Sequence, residues 1–258
     1  MSARDEWLEL NPHRQLPDFL IVGTMKSGTS SLATLLDRTP GVFVPKHELH
    51  FFNREARFEQ GLTWYAECFD DAAIGDVCGE KTPTYSYAEH VPRRIHHFDP
   101  SIKLVWIFRH PIDRAYSHYW YGVGRGRQSA TFAEAIHAEL AGTPTDPWQR
   151  YIHRGRYDEQ IERFVETGFP LDQMLFLRFD DLTREPAGVI EQTRRFVDAG
   201  ELPPGTEVRP VWRNRSKSTE SSSAPPPMPE EIRRLMEVEL AESVERLREL
   251  TGIDFTGH

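Results

Sequence analysis

The segment Phe19-Leu20-Ile21-Val22-Gly23-Thr24-Met25-Lys26-Ser27-Gly28-Thr29-Ser30-Ser31-Leu32 passes from four apolar residues, through a glycine-containing turn, to the first apolar position of a helix. The apolar run is too short for a helix and lies between Pro17 and Gly23, so it reads as a buried strand. Leu32, Leu35 and Leu36 then share one helical face, and Pro40-Gly41 stops the pattern. A turn of this kind aims backbone N–H groups and the positive end of a helix at an anion. Lys26 adds a cation, and Ser27, Thr29, Ser30 and Ser31 add short donors. An ordinary strand-to-helix turn would use small residues only for close packing. The lysine and the hydroxyl cluster favour a phosphate- or sulfate-binding loop.

Outward from this segment the pattern alternates. Strands are expected at 42–44, 76–82, 104–108 and 174–179. Helices are expected at 62–69, from Pro111 through Ser117, and at 132–140, 157–165, 186–197 and 229–250. Strands alternating with helices predict a P-loop-like three-layer α/β/α fold around a central parallel sheet. The chain has 258 residues, which suits one domain over 1–258, with a flexible loop at 213–229 rich in serine and proline ahead of the last helix. A net charge of -9 disfavours a nucleic-acid partner. Residues 1–14 are polar without an apolar signal core, and no run approaches the roughly 20 apolar residues of a membrane span, so a cytoplasmic enzyme is expected. Cys68 and Cys78 have no partners at zinc-like spacing and read as reduced thiols; no metal is expected.

A nucleotide kinase is the nearest alternative. Its signature places the lysine directly after the last glycine, followed by Ser or Thr. Here Lys26 stands two positions before Gly28, and the strand ending at Phe108 is followed by Arg109 rather than a magnesium-binding acid. Asp180 and Asp181, after the 174–179 strand, are the weak exception. A nucleotide-binding protein without activity is the other alternative.

At these positions the chain resembles the sulfotransferases that use 3′-phosphoadenylyl sulfate (PAPS). The segment from Lys26 to Leu32 is similar to the family's 5′-phosphosulfate loop. Arg109-His110-Pro111-Ile112-Asp113-Arg114-Ala115-Tyr116-Ser117 is similar to its 3′-phosphate signature, an arginine at a strand end and a serine just over two helical turns later. Lys46-His47-Glu48-Leu49-His50-Phe51-Phe52, Glu80-Lys81-Thr82-Pro83, Gly155-Arg156-Tyr157 and Arg213-Asn214-Arg215-Ser216-Lys217 extend the resemblance to the glycosaminoglycan branch and its bacterial relatives, over roughly residues 17 to 220. Leu49 departs from that branch's proline, and Asn53 from a frequent acid.

The resemblance implies PAPS as donor and adenosine 3′,5′-bisphosphate (PAP) as product. It implies that Lys26 neutralises the oxygen leaving sulfur, while Ser27, Gly28, Thr29, Ser30 and Ser31 hold the 5′-phosphate. Arg109 and Ser117 would hold the 3′-phosphate, with Tyr157, Arg215, Ser216 and Lys217 also at the nucleotide. Lys81 would sit near the sulfate or acceptor, and Glu48 would be the general base, with His50 the alternative. The implied acceptor is a glycan or a small molecule. Phe51, Phe52, Trp64, Tyr65, Tyr119, Trp120 and Tyr121 are candidates for its pocket. Sequence leaves O- versus N-sulfation and the oligomeric state open.

Overall fold

The computed structural model describes residues 1–143, 146–211 and 225–255. Its helices are Ala3–Leu10 (α1), Thr29–Asp37 (α2), Glu55–Phe58 (α3), Gly61–Glu67 (α4), Val91–Phe98 (α5), Pro111–Val123 (α6), Phe132–Leu140 (α7), Tyr157–Thr167 (α8), Phe179–Arg184 (α9), Pro186–Phe196 (α10) and Glu230–Thr251 (α11). Its strands are Phe19–Gly23 (β1), Val42–Phe43 (β2), Val77–Lys81 (β3), Lys103–Phe108 (β4) and Met174–Arg178 (β5). Packing divides the chain into two compact units, Met1–Phe108 with Ile161–Arg213, and Arg109–Gln160 with Asn214–His258.

The first unit holds the sheet, in order β2-β3-β1-β4-β5, with every neighbouring pair parallel. β1 and the last five residues of β4 are buried throughout, as expected of strands covered on both faces. Phe19, Ile21, Val105 and Ile107 point to one side and pack with Leu32, Leu35 and Leu36 of α2, Leu182 of α9 and Ile190 of α10. On the other side Trp106 meets Phe164 of α8 edge to face, with ring centres 5.1 Å apart. Earlier in the chain, Phe51 stacks on Tyr65 at 4.1 Å and Phe52 packs on Phe98 of α5 at 5.4 Å. Helices on both faces of a parallel sheet make the expected three-layer α/β architecture. The tight approach at its centre needs a glycine: a Cβ on Gly79 would lie 2.1 Å from the Phe19 ring.

The second unit is helical. Ile112, Ala115 and Tyr119 of α6 pack with Phe132 and Ile136 of α7, Tyr151, and Ile232, Met236 and Leu240 of α11. Arg114 is buried in this core and donates to the Tyr151 carbonyl at 2.5 Å. α7 begins with a reciprocal cap between Thr131 and Glu134. Within 213–229, only 225–229 lies among the described residues; there the Tyr116 hydroxyl donates to the Pro226 carbonyl at 2.6 Å.

Four helices were not expected from sequence. α1 starts with a capping box between Ser2 and Asp5 and is fastened by Arg4, which donates to Asp18 Oδ1 at 2.5 Å and to the Pro17 carbonyl at 3.1 Å. α3 is a single turn. α5 carries Pro92 in its first turn, where proline is tolerated, and buries Val91, Ile95 and Phe98. α9 follows β5 without a loop.

Candidate active site

The turn after β1 is shaped from within. The Thr24 N–H and hydroxyl both donate to the Ile107 carbonyl, at 3.0 and 3.1 Å, fixing the turn to β4. Ser27 is fully buried, its N–H donates to the Thr24 carbonyl at 3.2 Å, and its hydroxyl bonds that of Thr24 at 2.7 Å. Its side chain therefore builds the loop. Lys26 has φ +73°, a left-handed conformation that is uncommon for a residue with a Cβ and that recurs at functional sites. Gly28 caps α2 at φ +93°, where a Cβ would come 2.8 Å from the Phe179 ring. The N–H groups of Ser31 and Leu32 bond back to the Gly28 carbonyl. Those of residues 28 to 30 stand at the helix head, where no intrahelical acceptor exists. Thr29 and Ser31 are mostly buried, and Ser30 is half-buried.

Beside this loop the structure brings together Glu48, His50, Lys81 and Ser30. Lys81, at the end of β3, donates to Glu48 Oε1 at 3.0 Å and to the Ser30 hydroxyl at 3.5 Å. His50 Nε2 lies 3.4 Å from Glu48 Oε2. His50 Nδ1 lies 3.1 Å from Asn53 Oδ1, and the Asn53 amide donates to the Thr84 hydroxyl at 2.8 Å. Burial, then the charge of Arg54, push the His50 pKa below its usual 6.5, against the pull of Glu48. His50 also has a positive φ, +55°.

Beneath the Glu48–His50 loop is Glu80, fully buried on β3. Its Oε1 accepts from the Thr82 hydroxyl at 2.8 Å and the Tyr85 hydroxyl at 2.6 Å, and its Oε2 accepts from Tyr65. Burial raises its pKa above the usual carboxylate value, and the three hydroxyl bonds offset only part of that rise. No periodicity or spacing points to this residue; it appears in the sequence only within the matching Glu80-Lys81-Thr82-Pro83 segment.

In the second unit, Arg109 stands two residues before the start of α6, with His110 as the helix cap, and Ser117 lies along that helix; Arg109 and Ser117 are both half-buried. Tyr157 is buried at the start of α8, and its hydroxyl donates to the Arg109 carbonyl at 3.0 Å. Arg215, Ser216 and Lys217 lie outside the described residues. Of the seven aromatic candidates for an acceptor pocket, Phe51, Phe52, Tyr65 and Tyr119 are buried packing residues. Trp64, Trp120 and Tyr121 are half-buried. Among the described residues, no three His, Cys, Asp or Glu side chains form a metal-binding group, and no helix is long and apolar enough to cross a membrane.

Comparison with known proteins bears on this arrangement. The family profile described as "Sulfotransferase domain" matches residues 16–225. Human heparan sulfate glucosamine 3-O-sulfotransferase 6 is 32% identical over 184 residues, 71% of this chain and 53% of that protein. Mouse heparan sulfate glucosamine 3-O-sulfotransferase 5 is 29% identical over 207 residues, 79% of this chain and 59% of that protein. The chain thus spans just over half the length of these curated relatives. The crystal structure of a sulfotransferase from Alicyclobacillus acidocaldarius has the same fold, with a TM-score of 0.74 at 24% identity over 94% of this chain and 98% of that one. With the profile matched over most of its length, the chain belongs to the sulfotransferase domain family.

Proposed function

We propose that the chain acts as a single sulfotransferase domain that transfers the sulfuryl group of PAPS to an acceptor hydroxyl or amine and releases PAP. The observation that carries this reading is the Glu48 carboxylate, held by Lys81 at 3.0 Å and faced by His50 at 3.4 Å, beside Ser30 of the anion loop. A carboxylate held against a cation at the edge of an anion-binding loop suits a base that must meet a sulfate. In the reaction, the acceptor oxygen attacks sulfur and its proton passes to Glu48. The bond from sulfur to the 5′-phosphate oxygen breaks, and Lys26 neutralises the charge that develops there. The N–H groups of residues 28 to 30 hold the 5′-phosphate. Lys81 orients Glu48 and lowers the charge repulsion between it and the sulfate. Arg109 and Ser117 grip the 3′-phosphate, with Arg215, Ser216 and Lys217. Tyr157 fixes the backbone of Arg109. The relatives named for a glucosamine hydroxyl of heparan sulfate favour a glycan acceptor; Asn53 in place of an acid leaves small-molecule alcohols as the second class.

Thermal shift and labelled transfer test this. PAP without magnesium should raise Tm by several degrees, and ATP with magnesium should not. Labelled PAPS should transfer to one member of a panel of heparan oligosaccharides and simple alcohols. Glu48→Gln should lower that transfer by about 10²–10⁴-fold with PAP affinity unchanged. Stabilisation by ATP with magnesium but not by PAP would overturn the proposal.

A further inference from the structure

We propose that Glu80 is the positioning residue for Glu48 and His50, acting through the hydroxyls of Thr82 and Tyr85. The inference rests on the role given above to Glu48. A carboxyl oxygen that carries no proton only accepts hydrogen bonds, so a hydroxyl that bonds to it must turn its hydrogen toward it. Thr82 and Tyr85 both do so, at 2.8 and 2.6 Å from Glu80 Oε1. Each hydroxyl is left with its lone pairs aimed away, and each receives one backbone N–H from the segment that carries the proposed base. The His50 N–H donates to Thr82 Oγ1 at 3.2 Å, and the Phe52 N–H donates to Tyr85 Oη at 3.2 Å. Glu80, Thr82, Tyr85 and Phe52 are all buried, so the bond from the Phe52 N–H to Tyr85 is shielded from water, and the one from His50 is partly so.

Two alternate residues of one short segment are thereby tied to a single carboxylate. The tie matters because His50 is held at φ +55°, a conformation it would leave if the backbone were released. Glu48 lies two residues before the first anchored N–H, so its carboxylate inherits the direction that the relay sets. Tyr65 is the internal control. It also donates to Glu80, from α4, but receives no N–H from the 48–52 segment among the bonds described. Charge alone does not explain the arrangement, because Lys81 directs its ammonium to Glu48 rather than to Glu80.

The test compares Thr82→Val, Tyr85→Phe and Tyr65→Phe in the full chain. Each loses one buried hydroxyl bond to Glu80, but only the first two cut an arm of the relay. Amide hydrogen exchange should be at least tenfold faster at His50 in Thr82→Val and at Phe52 in Tyr85→Phe, with both sites unchanged in Tyr65→Phe. Transfer from labelled PAPS to whichever acceptor of the panel above is sulfated should lose at least tenfold in kcat in the first two variants, with PAP affinity within about twofold. Adding Thr82→Val to Glu48→Gln should cost little more than Glu48→Gln alone, since both act at one group. Equal exchange at His50 and Phe52 in all three variants, or equal loss of kcat in Tyr65→Phe, would overturn the inference. If Glu48→Gln alone kept full activity, the role of Glu48 would fall, while the exchange data would still decide whether the relay holds the segment.

Discussion

Asn53 sets which nitrogen of His50 carries a proton. Its amide N–H donates to Thr84, so its Oδ1 is turned to His50 and accepts from Nδ1–H. The other ring nitrogen then presents a lone pair 3.4 Å from Glu48 Oε2. Two acceptors facing each other leave a seat for one proton, the one Glu48 is proposed to take from the acceptor. For that seat to be empty His50 must be neutral, and its depressed pKa keeps it so at pH 7. The charged groups around it are Arg54 and Lys81, which disfavour the imidazolium, and Glu48, which favours it. Turnover should therefore be level from about pH 8 down to 6.5, the unperturbed histidine value, and fall below it as His50 fills with a proton beforehand. Asn53→Asp places a second carboxylate beside Nδ1 and stabilises the charged ring. The acid fall should move to higher pH by about one unit or more, readable in a kcat profile. A profile that does not move in Asn53→Asp would remove His50 from the proton path.

At the scale of elements, the turn from β1 into α2 was legible because each part carries a local signal. A strand covered on both faces reads as an unbroken apolar run, the helix shows Leu32, Leu35 and Leu36 on one face, and a glycine stands between them. α5 was not, because Pro92 and the pair His96-His97 interrupt the apolar spacing that only its packing against Phe52 reveals. α9 was hidden by running straight on from β5. Glu80 and its relay were invisible for a deeper reason: residues 50, 52, 65, 80, 82 and 85 come from separate segments and meet only in the tertiary structure. The Gly28 turn gives a test of what the element requires. An alanine there must adopt φ +93°, at about 1–2 kcal/mol, and its Cβ must displace the Phe179 ring from 2.8 Å. Gly28→Ala should lower Tm by several degrees and weaken PAP binding at least tenfold. Gly126→Ala is the matched control, since it has φ +65° with nothing within 4 Å of the added Cβ. It should cost stability alone. Equal PAP affinity in both variants would show that the turn does not shape an anion site.

For the whole molecule, the sheet unit carries its own reporter of ligand binding. Cys78 lies on β3 between β2 and β1, is 1% exposed, and its thiol lies 3.0 Å from Gln15 Oε1. Burial first, then the charges of Asp18 and Asp76, push its pKa up to about 12. Both features make it inert in the folded unit: the thiolate is scarce near neutral pH, and a reagent cannot reach it. Labelling of Cys78 by a thiol reagent, in a Cys68→Ala background, therefore measures how often the unit opens. Any ligand that binds only the folded unit lowers that frequency by the factor 1 + [L]/Kd. PAP at 100 times its Kd should slow labelling about 100-fold, a stabilisation of about 2.7 kcal/mol, without added magnesium. Lys26→Ala should weaken this protection in proportion to the affinity it loses, while its labelling without PAP stays close to that of the parent, because Lys26 lies outside the core around β3. If saturating PAP left the labelling rate unchanged, either PAP does not bind this unit or Cys78 is exposed by an opening that leaves the ligand in place. Repeating the measurement at a urea concentration near the unfolding midpoint separates the two. Global unfolding then governs the rate, and protection must appear if the nucleotide binds the folded chain at all.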